Sequence, residues 1–289
     1  NYALQLNSDR IDSSSLENGK FTSRDYYKIA ILPEYLIDQE KGESLSLKAG
    51  GSWDDTNRNK ARFSPIAEIE RIKEYSKGNV DRSYFSYAES VQFIGYGAIG
   101  GSQTSGLFRS NHNLNVEKSK NIEIGHQIKR LEWNLMTAAF YRWDDNLVDW
   151  AYVGRGARSA ENVDIETLGF ELFAAREWNQ FKTIASYTYL EKDEDYGNLV
   201  IDGSFYALNY PEHRATLGII WDPIDTIQIR IDNEWREQRE NLLRAGPNNS
   251  TYSHLAVSYY PSQLDDLEIF MAYDKPWDED FQDVPGTPG

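Results

Sequence analysis

Apolar and polar residues alternate along much of this 289-residue chain with a period of two. In residues 227–236, isoleucines and a tryptophan share one face, and the other face carries Arg230, Asp232, Glu234 and Arg236. The same alternation recurs in residues 45–53, 122–128, 133–143, 168–172, 215–221, 255–259 and 267–273. A period of two with one apolar face predicts half-buried β-strands. Because no segment of comparable length has a helical period, the sequence predicts an all-β protein.

The predicted strands are long. From end to end the pattern gives about thirteen strands, most of them roughly nine to fifteen residues long. Strands of soluble proteins typically have ~5–6 residues, whereas a tilted strand that crosses a bilayer needs ~9–11. Strand length therefore favours an antiparallel transmembrane β-barrel over a soluble sandwich.

Short turns and long connections alternate along the chain. Short turns are predicted at residues 38–43, 76–81, 129–132, 177–180, 222–225 and 261–265. Long connections are predicted at residues 8–25, 54–64, 97–118, 151–162, 191–205 and 238–250. Outer-membrane barrels have short periplasmic turns and longer extracellular loops, and a soluble meander has no reason to sort its loops in this way.

Aromatic residues flank the predicted short turns, with Trp133, Trp178, Phe181 and Trp221 as examples. A second set lies towards the long connections and comprises Tyr141, Trp143, Tyr187, Tyr189, Trp235 and Tyr273. Amphipathic rings favour the membrane–water boundary, so these sets predict two aromatic girdles. Ordinary cross-strand pairing of aromatic residues is the simpler alternative.

Composition narrows the function classes. The formal net charge of −16 argues against nucleic-acid binding, because no basic stripe is available to neutralise phosphates. Mean hydropathy is −0.66, which does not count against a barrel, since only alternate residues of its strands face lipid. The absence of Cys excludes disulfides and thiolate zinc sites.

Catalytic motifs are missing from the sequence. The four histidines, His112, His126, His213 and His254, are scattered without metal-ligand spacing. No nucleophile elbow, phosphate-binding glycine loop or zinc-protease helix is found. We therefore expect a protein that is not an enzyme and has no cofactor.

Four segments resemble TonB-dependent outer-membrane receptors. Residues 107–125, LFRSNHNLNVEKSKNIEIG, are similar to the family's "NPDLxPExSxNxExG" stretch, with matches at Asn111, Leu114, Glu117, Ser119, Asn121, Glu123 and Gly125. Residues 162–171 and 210–218 resemble two further strand entries of the family. Residues 272–289 resemble its last extracellular segment, with matches at Asp274, Lys275, Asp280, Phe281, Pro285 and Gly286.

The resemblance implies a fold and partners. The family's barrels have 22 strands around a plugged lumen, so residues 1–289 would form a single barrel region that is incomplete at both ends, with the plug domain outside this chain. Expected partners are outer-membrane lipid, the TonB energy-transducing complex acting through that plug, and a small-molecule or glycan ligand. The expected location is the bacterial outer membrane.

The resemblance also implies TonB-coupled import of a scarce nutrient, which in this family is an iron chelate, haem, cobalamin or a glycan. Two alternatives stay open: a passive porin-like barrel and a soluble carbohydrate-binding β-protein. Candidate ligand-binding residues in the long connections are the cations and rings that can hold anions or stack on flat ligands. They are Arg155, Arg158, Tyr206, Arg244 and Trp277.

The last segment of the chain is acidic. Carboxylate oxygens are the ligands that Ca²⁺ prefers, and Asp278, Asp280 and Asp283 lie close together in sequence. These three residues are a candidate site for a structural Ca²⁺, although their spacing is not that of an EF-hand.

Overall fold

The computed structural model describes residues 2–17, 22–39, 42–76, 78–264, 266–276 and 280–285. The strands are β1 (Tyr2–Arg10), β2 (Ser23–Ile31), β3 (Glu34–Gln39), β4 (Glu43–Thr56), β5 (Arg62–Ser76), β6 (Asn79–Gln92), β7 (Phe108–Arg109), β8 (Glu117–Lys129), β9 (Trp133–Ala151), β10 (Arg158–Trp178), β11 (Phe181–Asp195), β12 (Pro211–Ile224), β13 (Ile227–Gln238), β14 (Asn249–Tyr259) and β15 (Ile269–Lys275). The described helix is α1 (Tyr96–Gly100). In this part of the chain no helix is long and apolar enough to cross a membrane.

All the strands belong to one sheet. Its continuous path runs β1-β2-β4-β5-β6-β8-β9-β10-β11-β12-β13-β14-β15, with each strand antiparallel to the next. β2 and β3 pair with successive parts of β4, and Pro33 lies between them, where its missing amide hydrogen interrupts the ladder. The path therefore has thirteen members, which confirms the predicted all-β antiparallel architecture and its strand number.

The strands extend further than the alternation predicts. β9 has 19 residues and β10 has 21, so the predicted long connection at residues 151–162 shortens to residues 152–157. The connection at residues 54–64 likewise shortens to residues 57–61. The physical reason is that the strands continue pairing beyond the amphipathic stretch, where loops pack over one face and bury residues such as Asp54, Ala160 and Val163. The tight turns at residues 130–132 and 179–180 lie within the predicted ones, and the turn at residues 225–226 follows a β12 that extends to Ile224, into the turn predicted at residues 222–225.

One face of the sheet is apolar and uncovered. Ile69, Phe85 and Ile124 are direct cross-strand neighbours, and their side chains are 44%, 47% and 61% exposed. Because every described strand lies in the same sheet, no second sheet of the described chain packs on this face. An extended apolar face of this kind is the lipid-facing surface of a membrane barrel, and the dry core of a soluble sandwich would have buried it.

The opposite face carries a connected polar network. Lys48 Nζ lies 3.7 Å from Glu70 Oε2, and Arg82 pairs with the same carboxylate. Tyr84 Oη donates a hydrogen bond to Glu123 Oε1 at 2.5 Å, and the Arg82 guanidinium lies over the Tyr84 ring, 4.9 Å from its centroid. These contacts link β4, β5, β6 and β8, so the predicted lumen-facing side of the sheet is polar and internally paired.

The buried apolar residues lie at the long-loop end of the sheet. One cluster contains Ile94, Ala98, Ile99 and Ala160, and a second contains Val163, Ile165 and Ala207. Both clusters join long connections to the ends of β9 and β10. The loops at this end are thus folded into a packed layer, which positions their side chains.

Candidate functional site

Asp149 organises the loops at this end. Its side chain, near the end of β9, is fully buried at 0% exposure. The carboxylate accepts hydrogen bonds from the backbone N–H groups of Phe205 at 3.1 Å, Tyr206 at 3.1 Å and Ala207 at 2.8 Å, and from Tyr196 Oη at 3.0 Å. A buried carboxylate is stabilised when donors surround it. Asp149 therefore fixes the loop of residues 196–210 against β9.

The Tyr196 hydroxyl is held in its donor form. Burial raises the pKa of Tyr196 well above its usual range, and the Asp149 carboxylate raises that pKa further. Because the phenol stays protonated, it donates to the carboxylate instead of repelling it. Asp149 is not among the residues predicted from the sequence, where the available signal is a carboxylate between Val148 and Trp150 in a strand-like stretch.

Arg158 and Tyr152 form a second anchor. Arg158 is 6% exposed and its guanidinium lies 4.5 Å from the centroid of the Tyr152 ring. Arg158 Nη1 donates to the Gly156 carbonyl oxygen at 2.6 Å, and Tyr152 Oη donates to the Pro285 carbonyl oxygen at 2.7 Å. The predicted ligand-binding residue Arg158 thus stacks beneath the loop surface and helps to attach the segment 280–285.

Arg244 attaches the same segment from the other side. It is 8% exposed; its Nη1 donates to the Gln282 carbonyl oxygen at 2.5 Å and its Nη2 to Asn209 Oδ1 at 3.3 Å. Burial lowers the pKa of Arg244, and the nearby Asp283 partly offsets this effect. Arg244 therefore joins three loop segments.

The other predicted ligand-binding residues differ in exposure. Arg155 is exposed, and Tyr206 is 52% exposed although its backbone is held by Asp149. Trp277 lies outside the described residues. The structure thus brings Arg158 and Arg244 into the packed layer and leaves Arg155 and Tyr206 at its surface. Ligand binding by the five residues stays a prediction.

The motif positions 111–117 attach a long loop to the sheet. Asn111 Nδ2 donates to Glu161 Oε2 at 3.3 Å, Leu114 packs against the first buried cluster, and Glu117 Oε1 accepts from the Val148 N–H at 3.0 Å. These residues hold the loop of residues 93–116 across β9 and β10. Their role in the structure is therefore scaffolding of the loop layer.

The remaining motif positions lie in strands or in the last segment. Asn121, Glu123 and Gly125 lie on the polar face of β8, and Asn121 Nδ2 donates to Glu123 Oε2 at 3.4 Å. In β15, Asp274 Oδ1 accepts from Tyr252 Oη at 2.5 Å. Phe281 is buried at 6% exposure, Pro285 is also fully buried, and Gly286 lies outside the described residues.

The candidate Ca²⁺ ligands are only partly described. Asp278 lies outside the described residues, whereas Asp283 Oδ1 lies 3.1 Å from Gln238 Nε2 and 3.4 Å from Arg236 Nη1. Within the described ranges, no group of three acidic or histidine side chains has metal-binding geometry. The Ca²⁺ site stays a prediction.

Cationic side chains line the polar face just below the loop layer. Arg142 Nε pairs with Asp144 Oδ2 at 2.8 Å, and Arg214 makes two bonds to Glu234 at 2.8 and 2.9 Å. Lys192 Nζ instead donates to the Tyr206 carbonyl oxygen at 3.0 Å. Lys192 belongs to the same cross-strand row as Arg142, through Thr167. At this end of the lumen-facing side, Lys192 thus links the cationic row to the loop that carries the exposed Tyr206.

Comparison with known proteins extends these observations. A family model described as "TonB dependent receptor-like, beta-barrel" matches residues 2–277. Similar solved structures include "Copper transporter OprC", with a TM-score of 0.59, 14% identity, and coverage of 92% of this chain and 44% of that one. No curated protein matches the chain.

Two iron-related structures are also similar. The FrpB iron transporter from Neisseria meningitidis has a TM-score of 0.57 and 12% identity, covering 87% of this chain and 41% of that one. A mutant of the ferric enterobactin receptor PfeA from Pseudomonas aeruginosa has a TM-score of 0.59 and 15% identity, covering 88% and 39%. At these identities the likeness is one of fold, and the chain spans less than half the length of each of these structures.

Proposed function

Because the chain belongs to the TonB-dependent receptor family, as strands of its β-barrel, we propose that the complete protein imports a scarce nutrient by TonB-coupled active transport. Barrels of this family are bacterial outer-membrane proteins, so the short turns face the periplasm and the long loops face outwards. The observation that carries the proposal is the pairing of an uncovered apolar face with a polar, charge-paired inner face in one antiparallel sheet. This arrangement suits a wall between lipid and a solvated lumen.

An anionic iron chelate is the substrate class that the site favours. Lys192 and Arg142 share a cross-strand row on the lumen side, Lys192 contacts the Tyr206 carbonyl oxygen, and Arg155 is exposed in the connection after β9. Cations of this kind bind carboxylate, catecholate or phosphate oxygens, and an exposed phenol ring stacks on flat ligand surfaces. Haem, cobalamin and glycans are the other substrate classes of the proposal.

The loop layer supplies a mechanism for capture. Asp149, Arg158 and Arg244 hold three loop segments together, so the exposed groups above them are preorganised and lose little entropy on binding. Release into the periplasm requires movement of the plug, which we assign to TonB and the proton-motive force. The segment 280–285 is attached to the same layer through the backbone carbonyl oxygens of Gln282 and Pro285.

Uptake of radioactive iron chelates by intact cells tests the proposal. A strain without the receptor should lose uptake of one chelate, and the same loss should follow disruption of TonB or collapse of the proton-motive force. A receptor-dependent uptake that persists without TonB would identify a passive porin-like barrel instead. Retention of haem, cobalamin or glycan uptake as the sole receptor-dependent activity would reassign the substrate class.

A further inference from the structure

The outward face next to the short turns has two different characters. On β10 to β12 it is mainly aromatic, because Phe181 stacks on Trp178 and Trp221 with ring centroids 6.1 and 5.6 Å apart, and the single cation Arg176 lies over the Trp178 ring. On β5 to β8 it carries charged side chains at the corresponding height. Aromatic residues are typical of this membrane–water boundary, so the charged side chains on β5 to β8 are unusual there.

The charged section is built around one tyrosine. Lys73 Nζ lies 5.0 Å and Arg130 Cζ 5.3 Å from the centroid of the Tyr75 ring. Tyr75 Oη donates to Asp81 Oδ2 at 2.8 Å, and Arg130 Nη1 lies 2.7 Å from Asp81 Oδ1. Two cations are therefore held at the outward surface by a ring and a shared carboxylate.

A further polar row lies one step towards the membrane centre. Arg71, Ser83 and His126 are cross-strand neighbours; Arg71 makes two bonds to Glu43, at 2.6 and 3.0 Å, and Ser83 Oγ lies 2.8 Å from His126 Nδ1. Rows two residues apart along a strand are separated by ~6.6 Å. The Arg71 side chain is 55% exposed, so it is accessible from the lipid side.

An apolar groove continues above these rows. Ala139 lies between Ile124 and Phe170 in the cross-strand register, and its short side chain leaves a depression between the two larger ones. The groove is lined on the lipid side by Ile69, Phe85, Ile124, Ala139 and Phe170, with Leu45, Arg71, Ser83 and His126 at its lower end. The surface is thus charged near the short turns and becomes apolar towards the membrane centre.

We propose that this surface binds one phospholipid of the periplasmic leaflet, with its phosphodiester at Arg71, Lys73 and Arg130 and an acyl chain in the groove. Three cations face two carboxylates, Glu43 and Asp81, which leaves one positive charge to match one phosphodiester. This local excess occurs in a chain whose net charge is −16, and cations beside a bilayer attract anionic headgroups.

Native mass spectrometry of the full-length receptor, delipidated in detergent and then given phosphatidylglycerol, tests the site. The wild-type receptor should retain one phosphatidylglycerol molecule more strongly than diacylglycerol, which has the same tails and no phosphate. Lys73→Gln should weaken retention about fivefold and Arg71→Gln/Lys73→Gln about 25-fold, since each cation near a bilayer surface contributes ~1 kcal/mol. Ala139→Trp fills the groove and should also lower retention.

The matched control is Lys129→Gln, which removes a cation next to Arg130 in sequence but on the lumen-facing side of β8. Its phosphatidylglycerol retention should equal that of the wild type. Lys73→Gln leaves both Arg–carboxylate pairs intact, so the test holds if the double variant fails to fold. Equal retention by all variants, or equal retention of diacylglycerol and phosphatidylglycerol, would overturn the proposal.

Discussion

A β-carbon added to Gly125 would lie 2.3 Å from Cζ of Tyr84 on the neighbouring strand. The tyrosine ring therefore lies directly across the glycine, and its hydroxyl reaches Glu123 at 2.5 Å. Gly169 repeats the arrangement, because its added β-carbon would lie 2.1 Å from Cζ of Phe140. The glycines that the family patterns carry at both positions are thus sites where an aromatic ring covers the backbone.

Gly125→Ala should displace the Tyr84 ring and weaken its hydrogen bond to Glu123. Overpacking of this kind costs ~1–3 kcal/mol, which should lower the temperature at which the folded barrel loses its faster migration on a denaturing gel. Gly97→Ala is the matched control, because no atom lies within 4 Å of an added β-carbon there. Equal transition temperatures for the two variants would show that the ring moves without cost.

Features that depend on residues close together in the chain can be predicted from the sequence, whereas contacts between distant residues cannot. Alternation assigned Ile124 to the lipid face and Glu123 to the lumen face, because facing is a local property with a period of two. It also predicts the strand number of the continuous sheet path and tight turns such as that at residues 130–132. The ring over Gly125 could not be predicted in this way. The family pattern includes the glycine, but only the pairing of Gly125 with Tyr84 across the strands explains why a glycine is needed there.

The loop layer was beyond a sequence-based prediction. Asp149 and Ala207 are 58 residues apart in the chain, and no local pattern connects them. The sequence predicts Arg158 and Arg244 as ligand-binding loop cations, but it gives no measure of burial, so their position beneath the loop surface is not predicted. A β-bulge between Val163 and Ile165 also escaped the alternation pattern.

Asp149→Asn should loosen the loop of residues 196–210. The amide retains one acceptor oxygen and loses the negative charge that the four loop donors share, and a buried hydrogen-bonding group left unsatisfied costs ~1–3 kcal/mol. Hydrogen exchange at the amides of Phe205, Tyr206 and Ala207 should accelerate by at least tenfold, which corresponds to ~1.4 kcal/mol. Asp193→Asn, at an exposed position, is the control, and similar exchange in both variants would contradict the role of Asp149.

Tyr196 makes the same loop sensitive to alkaline pH. Its pKa is raised in the folded protein, so the contribution of Tyr196 to stability is complete below the unfolded pKa of ~10 and is lost as pH rises towards the folded pKa. Amide protection in residues 196–210 should therefore fall above about pH 10. Tyr196→Phe should remove this pH dependence; an unchanged profile in that variant would assign it to another group.

Arg244→Ala should release the segment 280–285. The substitution removes the donors to Gln282 and Asn209 and leaves a cavity in the loop layer, so the segment should become a site of limited proteolysis. Arg155→Ala provides the contrast, since Arg155 is exposed and its loss should leave protease resistance unchanged. If Arg155 contacts an anionic ligand, its variant should instead weaken ligand binding about tenfold, as expected for one charge-assisted hydrogen bond. Proteolysis that does not distinguish the two variants would argue against an anchoring role for Arg244.

The direction of the two sheet faces can be tested with a lysine on each side of β8. Ile124 is 61% exposed on the apolar face, and Gln127 lies on the polar face, where its Nε2 donates to Asn134 Oδ1 at 2.9 Å. Lysine near the bilayer midplane on the lipid side costs ~2–4 kcal/mol, whereas lumen positions tolerate charge. Ile124→Lys should therefore lower folding stability in lipid vesicles by that amount, and Gln127→Lys should change it by less than about 1 kcal/mol.

Urea titration of the full-length receptor refolding into vesicles measures both values. A larger penalty for Gln127→Lys would mean that the polar face, rather than the apolar one, meets lipid, and the transport proposal would lose its physical basis.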